Sequence, residues 1–177
     1  MKYPLVILLL VFFSSASQAQ QYRWNYMDIG LTEDGLGKGS TFSVASHILG
    51  GLFARGHIIR VQQKTETKPI NSMFSFYTLG YQYGLIYAEA GISHYDICWY
   101  ACANNSGNLV MLGLAGGSEK LKTKIGMGVQ DILGQRWNLI EADANYTIND
   151  SLGISLGIAD LDEFGGKLTK LGFRLSW

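Results

Sequence analysis

The chain of 177 residues carries 14 Lys+Arg and 14 Asp+Glu, so its formal net charge is zero. This balance argues against nucleic acid or another polyanion as a partner. Beyond the N-terminal residues, no apolar run reaches the ~20 residues that a transmembrane helix needs, so a membrane-embedded form would have to be a closed β-sheet.

The N-terminal residues have the layout of a secretory signal peptide. Lys2 precedes an unbroken apolar run over residues 4–13, and small residues lead up to Ala19. We expect cleavage after Ala19, because the apolar run is too short for a retained transmembrane helix. Removal of residues 1–19 leaves 13 Lys+Arg against 14 Asp+Glu in residues 20–177, which are enough for one domain with its own core.

Residues 20–177 break into stretches of about ten residues in which apolar and polar side chains alternate, as in the strands of an outer-membrane barrel. The clearest stretches are "NLIEADANYTI" and "SLGISLGIAD", which Asn149 and Asp150 join as a tight hairpin. The pattern predicts ten strands, at residues 22–31, 40–48, 53–63, 73–83, 86–95, 108–116, 122–131, 137–148, 151–160 and 167–177. The alternative is eight strands, with two weak segments as loops.

One segment breaks the alternation. In "LFARGHIIRVQQ", Ala54 and Ile58 share one parity, whereas Ile59 and Val61 share the other. A β-bulge near residues 56–59 would reconcile the two halves.

The predicted connections alternate in character along the chain. "LGG", "GL", "GSEK" and "ND" are short, whereas "TEDGLGKG", "KTETKPINS", "CWYACANNSG", "LGQR" and "LDEFGG" are polar or glycine-rich and mostly longer. This asymmetry is typical of short periplasmic turns and longer outer loops. We therefore predict an all-β fold, a single antiparallel up-and-down transmembrane β-barrel over residues 20–177.

Cys98 and Cys102 lie in one of the predicted outer loops. In an exported chain, a cysteine pair this close favours a disulfide, with free thiols as the alternative. A metal site would need more ligands than His94, the only close candidate, so we predict no metal site.

Alternation alone does not distinguish a lipid-facing barrel from a secreted, lipocalin-like barrel with an apolar core. The polar parity is rich in Gly, Ser, Thr and Ala, which suits a tight interior. The middle of the apolar parity in the last five strands has no charged residue, and such a charge would cost ~2–4 kcal/mol at the bilayer midplane. Aromatic residues also gather toward strand ends, as interface girdles would. These aromatic residues are Trp24, Tyr26, Tyr83, Tyr95, Trp137 and Trp177.

The polar parity directs charged side chains into the lumen. We expect a lumenal polar cluster whose opposite charges pair, because an unpartnered buried charge is costly. Its members are Asp28, Arg55, Glu89, Lys124, Glu141, Asp143, Lys170 and Arg174, and His47 and His57 share their parity. The alternative is a binding site or narrow polar path through these charges, although barrels of this size are filled by side chains.

Catalysis is a third possibility. A hydrolase would need Ser, His and a carboxylate within reach of one another. Ser93 and His94 would point to opposite faces of a strand, and Ser43 and His47 would lie about 13 Å apart. No triad can be assembled, so we predict no catalytic residue, no cofactor and no enzyme activity.

The chain ends on alternating hydrophobic residues, Leu171, Phe173, Leu175 and the terminal Trp177. This ending resembles the C-terminal signal of Gram-negative outer-membrane proteins, which implies recognition by the barrel-assembly machinery. With the leader and the strand pattern, residues 20–177 resemble a small outer-membrane β-barrel of the OmpA/OmpX kind, a group with eight strands. The resemblance implies a location in the cell outer membrane, in contact with its lipid.

We expect a structural or cell-surface interaction role for a barrel with a filled lumen. A narrow channel or small-ligand carrier is the first alternative, and an outer-membrane lipid-modifying enzyme is the second. The loop at residues 96–107, with Trp99 and Tyr100, is the candidate surface for a partner. The simpler interpretation is that these two aromatic residues anchor the loop at the membrane interface.

Overall fold

The computed structural model describes residues 20–33, 37–63, 69–98, 100–132, 135–160 and 167–177. The predicted leader, residues 1–19, and Trp99 lie outside the described residues. The strands are β1 Gln20–Gln21, β2 Tyr26–Glu33, β3 Gly37–Leu49, β4 Leu52–Gln63, β5 Ile70–Tyr83, β6 Ile86–Cys98, β7 Cys102–Gly117, β8 Leu121–Ile132, β9 Gln135–Thr147, β10 Leu152–Asp160 and β11 Lys167–Ser176.

Strands β2 to β11 form a closed, antiparallel, up-and-down barrel of ten strands within the described residues. Each strand pairs with the next along the chain, and β11 pairs with β2 in a register that sets Ser176 opposite Tyr26 and closes the ring. The predicted fold class is therefore confirmed, with ten strands instead of eight. Across the same residues, no helix is long and apolar enough to cross a membrane.

The two ends of the barrel differ. The start of β2 and the end of β11 lie at the same end as the short connections at residues 50–51, 84–85, 118–120 and 148–151, and we call this the turn end. The ends of β4 and β10 and the starts of β5 and β11 lie at the opposite end, which we call the loop end. Gly50 and Gly84 each have a φ of 59° in a two-residue turn, a conformation that favours glycine over residues with a side chain.

Side chains alternate between the inside and the outside of the barrel. In β10, for example, Gly153 and Ser155 are buried, whereas Ile154 and Leu156 are exposed. The outward rows together form an apolar belt around the barrel. Its exposed members include Ile29, Leu31, Phe42, Val44, Leu79, Tyr81, Ile92, Val110, Leu112, Met127, Val129, Ile140, Ile154, Leu156, Leu171 and Phe173.

The bulge predicted near residues 56–59 was wrong. Over residues 53–63, strand β4 keeps a continuous register with both of its neighbours, and Ile59 and Val61 are buried inside the barrel. The apparent change of phase arises because the loop-end half of the lumen is itself apolar. The register shift lies instead in β3, between His47 and Leu49, and His47 is exposed at the turn end.

Three of the six aromatic residues assigned to interface girdles, Trp24, Tyr26 and Tyr95, belong to the interior cluster instead, and Trp137 is partly buried and packs against that cluster. Tyr83 and Trp177 do face outward at the turn end, with exposed fractions of 81% and 62%. The first barrel strand begins at Tyr26, later than predicted, and residues 22–25 precede it as a separate segment. That segment enters the mouth of the barrel.

Candidate functional site

Eight charged side chains point into the barrel from six of its strands and form one network, which we call the charged layer. None of them has a side chain more than 14% exposed. Its members are Asp28 in β2, Arg55 in β4, Glu89 in β6, Lys124 in β8, Glu141 and Asp143 in β9, and Lys170 and Arg174 in β11. These are the residues of the predicted lumenal polar cluster, and the structure brings all of them into contact.

Arg55 is the centre of the first half of the charged layer. Its Nη2 and Nε donate to the two carboxylate oxygens of Glu89 at 2.6 and 3.1 Å, in the bidentate geometry that a guanidinium favours. The hydroxyl of Thr78, on the strand between them, also donates to Glu89 at 2.7 Å. The remaining terminal nitrogen of Arg55 donates to both oxygens of Glu141 at 2.8 and 2.9 Å.

The contact between Arg55 and Glu141 crosses the lumen. Arg55 lies on β4 and Glu141 on β9, and in a ring of β2 to β11 these strands are five apart in either direction. They are therefore opposite walls of the barrel. A direct ion pair therefore spans the lumen at this depth, and no aqueous path passes between Arg55 and Glu141.

The second half of the charged layer runs from β9 back to β2. Lys124 contacts Glu141 and lies 3.6 Å from Asp143, and Asp143 pairs with Lys170 at 2.9 Å. Lys170 lies 3.3 Å from Asp28, which also accepts a hydrogen bond from Arg174 Nε at 3.0 Å and lies 2.9 Å from Arg174 Nη2.

The charged layer is formally neutral, because four cations face four anions. Each buried charge therefore has an opposite charge beside it, which offsets the several kcal/mol that desolvation of an ion costs. Removal of one member would leave its partners buried and uncompensated.

The turn end of the lumen is closed by the segment before β2, which we call the N-terminal stopper, residues 22–25. The indole ring of Trp24 stacks on Phe53 with ring centroids 3.6 Å apart and an interplanar angle of 3°. Its Nε1 donates to the side-chain oxygen of Gln82 at 2.5 Å, and Tyr87 contacts the indole ring edge-on. Trp24 is only 2% exposed, so its apolar surface is almost entirely removed from water.

The stopper is tied down on both sides of Trp24. Upstream, β1 pairs with the end of β7, and the hydroxyl of Tyr22 accepts a hydrogen bond from Arg174, a member of the charged layer. Downstream, the side-chain oxygen of Asn25 accepts a hydrogen bond from the His47 backbone N–H at 2.7 Å. The stopper thus contacts the charged layer at Arg174.

Room for the aromatic rings of the turn end comes from an inward-facing glycine on β8. A Cβ on Gly126 would lie 2.1 Å from the hydroxyl oxygen of Tyr87 and 2.8 Å from the sulfur of Met111. A larger residue at this position would therefore displace the Tyr87 ring.

The loop-end half of the lumen is apolar. Its buried side chains include Ile59, Val61, Phe74, Phe76, Tyr95, Leu139 and Leu168. A cavity of about 30 Å³ lies between this apolar half and the charged layer, with Arg55, His57, Glu141 and Lys170 in its lining. Such a volume is enough for one or two water molecules.

Ser43 and His57 form a polar pair that the sequence analysis did not identify. They are opposite each other on β3 and β4, and Ser43 Oγ lies 2.5 Å from His57 Nδ1. Among the described residues, no carboxylate makes a hydrogen bond to His57, and the hydroxyl of Ser43 is buried. The pair could have been found by aligning β3 and β4 through their short turn, but not by spacing within one strand.

The other predicted site residues lie at the two ends and on the outside. Cys98 and Cys102 form a disulfide, and they are opposite each other at the loop end of the β6–β7 hairpin. Most of the predicted loop at residues 96–107 is paired strand, and Tyr100 and Ala101 lie between the two paired strands. The apolar residues of the C-terminal signal face outward from β11, and no group of three metal-ligating side chains occurs among the residues described.

No protein-family model matches the sequence, and no curated protein matches it either. Among solved structures, the chain is similar to the KdgM porin, with a TM-score of 0.47 and 7% identity over 86% of this chain and 99% of the porin. The KdgM porin in complex with disordered oligogalacturonate gives a TM-score of 0.46 and 8% identity over the same shares. Another porin gives 0.39 and 11% over 90% of this chain, which spans 60% of that porin. Likenesses this distant carry no information about what the chain binds or transports.

Proposed function

We propose that the chain is an integral outer-membrane β-barrel with a lumen filled by side chains, and that it has a structural or cell-surface interaction role. The observation that carries this proposal is the charged layer, in which Arg55 and Glu141 join opposite walls of the barrel. The N-terminal stopper adds a second closure at the turn end, through Trp24. Ten strands is also close to the size at which side chains alone fill a barrel.

Placement in a membrane is supported by the apolar belt on the outside of the barrel. A closed sheet with exposed Leu, Ile and Phe rows around it needs hydrocarbon as its surroundings. The corresponding test is gel electrophoresis of the detergent-solubilised protein with and without boiling, followed by partition into lipid vesicles. We expect the unboiled barrel to migrate differently from the boiled chain; a folded protein that stays in detergent-free buffer would contradict the proposal.

Export and assembly are part of the same proposal. Residues 1–19 would act as a cleaved leader, and the outward row of β11, Leu171, Phe173 and Leu175 with Trp177, would be read by the barrel-assembly machinery. Short turns and both barrel termini at the turn end support a periplasmic orientation of that end. The small-barrel resemblance to the OmpA/OmpX kind would then extend to the filled lumen, although the strand number differs.

The surface role would be exerted from the loop end. Tyr100 is 66% exposed in the connection that the disulfide between Cys98 and Cys102 closes. A rigid, aromatic tip of this kind suits contact with a protein partner or the membrane interface.

The experiment that tests the filled lumen is single-channel recording in a planar bilayer. We expect no steady unit conductance from the wild-type barrel. A steady conductance that changes in Glu141→Gln would show that ions pass the charged layer and would overturn the proposal.

A narrow channel or small-ligand carrier is the second candidate, and the cavity between the charged layer and the apolar half of the lumen favours it. For this candidate to hold, the cavity would have to expand well beyond about 30 Å³. We propose no enzyme activity, and labelled lipid A and phospholipid should both remain unchanged on incubation with the barrel.

A further inference from the structure

The outside of the barrel carries a shallow apolar groove over strands β3 to β6. Its floor is made by two small residues of β4, Ala54 and Gly56, and larger residues, Val44 of β3 and Leu79 of β5, flank it, with Ala90 of β6 beyond Leu79. The groove has a volume of about 590 Å³. Gly56 leaves its floor open, because a Cβ built there would meet no atom closer than 3.6 Å.

Small residues do not produce the same groove on the opposite side. Strand β9 also directs alanines outward, but Ala142 is only 9% exposed, and its register partners are Ile125 of β8 and Ile158 of β10. The outward rows of β10 and β11 consist of large side chains such as Leu156 and Phe173. The β3–β6 face therefore offers a depression to a neighbouring chain of hydrocarbon, whereas Ala142 on β9 is covered by its neighbours.

A polar depression of about 720 Å³ continues this face toward the loop end. Arg60 and Lys38 contribute positive charges to its lining, Gln62 and Asn71 contribute amide groups, and Asp96 contributes one carboxylate. Ser40, Arg60, Met73 and Asp96 form one row across the four strands, and Val44, Gly56, Tyr77 and Ile92 form a parallel row two outward positions lower.

The distance between the two depressions matches one leaflet of a membrane. Gly56 and Arg60 are about 13 Å apart along the strand, and Ala54 and Arg60 are about 20 Å apart, which correspond to about 10 and 15 Å along the membrane normal for strands tilted by about 40°. The hydrocarbon of one leaflet is about 15 Å thick. A lipid with one acyl chain in the apolar groove would therefore have its head group near the level of the polar depression.

Arg60 is the cation best placed to meet an anionic head group. It is exposed, and no carboxylate lies within 4.0 Å of it among the residues that the structure describes. Lys38 has a 3.5 Å contact with Glu33, but both side chains are mostly exposed, so that pair is weak and easily exchanged. Two cations with amide donors are suited to a phosphate group.

We propose that the β3–β6 face binds a phosphorylated glycolipid of the outer leaflet, with a phosphate against Arg60 and Lys38 and one acyl chain in the groove over Gly56. The site rests on the proposed membrane placement and orientation, since it needs the loop end to face outside the cell. It gives the barrel a preferred lipid neighbour at the β3–β6 face.

The test uses the refolded full barrel in detergent and purified lipopolysaccharide as the probe, with native mass spectrometry as the measurement. We expect the wild type to bind the purified lipopolysaccharide. The same lipopolysaccharide should no longer bind after its phosphate groups are removed. Arg60→Gln should weaken binding about tenfold, as loss of one charge-assisted contact does. Gly56→Leu should weaken it by filling the groove.

Matched controls come from the other side of the barrel. Arg136→Gln removes an exposed cation at the loop end of β9, and Ala144→Leu enlarges an outward alanine of the same strand; both should bind lipopolysaccharide like the wild type. Equal binding by Arg60→Gln and the wild type, or by phosphorylated and dephosphorylated lipid, would overturn the proposal.

A second copy of the chain in the groove would give a different result. Gly56→Leu would then convert a dimer into a monomer without a change in lipopolysaccharide binding, and the proposal would be overturned. A barrel that migrates differently when boiled, enters vesicles and still fails to bind lipopolysaccharide refutes this site alone. A chain that fails those two assays refutes the proposed function itself.

Discussion

The charged layer and the N-terminal stopper close the same lumen by different physical means. The charged layer is built from barrel strands, and its contacts run directly between walls, as from Arg55 to Glu141. The stopper is a segment outside the barrel wall, and its central contact is Trp24, through ring stacking and one buried hydrogen bond. Loss of the first should therefore weaken the barrel itself, whereas loss of the second should free a segment and leave the wall intact.

The difference follows from what each closure leaves behind when it is broken. A missing charge leaves its partners buried without compensation, which costs about 3–5 kcal/mol. A missing aromatic ring leaves apolar surface that water can reach once residues 22–25 detach. Electrostatic closure is thus coupled to global stability, and aromatic closure to local opening.

The largest effect is expected for Arg55→Met. The substitution keeps the length of the side chain but leaves Glu89 and Glu141 without their shared cation, so the free energy of unfolding should fall by about 3–5 kcal/mol. Urea unfolding of the barrel in lipid vesicles measures this change. Lys167→Gln, at a position that is exposed at the loop end, should change it by no more than about 0.5 kcal/mol. A similar, small effect of both variants would contradict a stabilising role of the charged layer.

An intermediate and more local effect is expected for Trp24→Ala. Loss of the stack on Phe53 and of the bond to Gln82 should favour detachment of residues 22–25 by about 3 kcal/mol. The backbone amides of residues 22–25 should then lose their protection against hydrogen exchange, and those of β2 to β11 should keep it.

The control for the stopper is Tyr83→Ala, which removes an outward aromatic residue at the same end of the barrel. Hydrogen exchange of the backbone amides in residues 22–25 should be the same in Tyr83→Ala as in the wild type. Uniform loss of protection along the barrel in Trp24→Ala would mean that the stopper is part of the global fold.

The smallest effect is expected for Gly126→Ala. One methyl group would press on the hydroxyl of Tyr87, and such overpacking costs about 1–3 kcal/mol in the free energy of unfolding. Gly56→Ala adds the same methyl group on the outside, where the nearest atom is 3.6 Å away, and should be neutral or slightly stabilising. Urea unfolding of the two variants side by side distinguishes crowding in the lumen from a general effect of alanine. Equal effects would argue against tight packing around Tyr87.

The barrel and the inward direction of the charged residues could be predicted because a period of two separates the two faces of a strand. The same alternation of inward and outward positions also identified the eight members of the charged layer. It could not give their partners, since the contact from Arg55 to Glu141 depends on which strands end up opposite each other in a closed ring.

Parity failed where an apolar residue does not face lipid. Ile59 and Val61 line an apolar part of the lumen, so the rule that apolar means outward suggested a bulge that does not exist. Tyr22 and Trp24 share the parity of Tyr26 and looked like the start of its strand, but they fold back into the mouth of the barrel. Only three-dimensional packing distinguishes such a segment from a strand.

The most direct test of the bridged lumen is a double-mutant cycle between Arg55→Met and Glu141→Leu, measured by urea unfolding in vesicles. If the two side chains join opposite walls, the double variant should lose less stability than the sum of the single variants, with a coupling energy of about 1.5–3 kcal/mol. Effects that add to within about 0.5 kcal/mol would show that the two residues do not interact and would contradict the closure of the lumen by the charged layer.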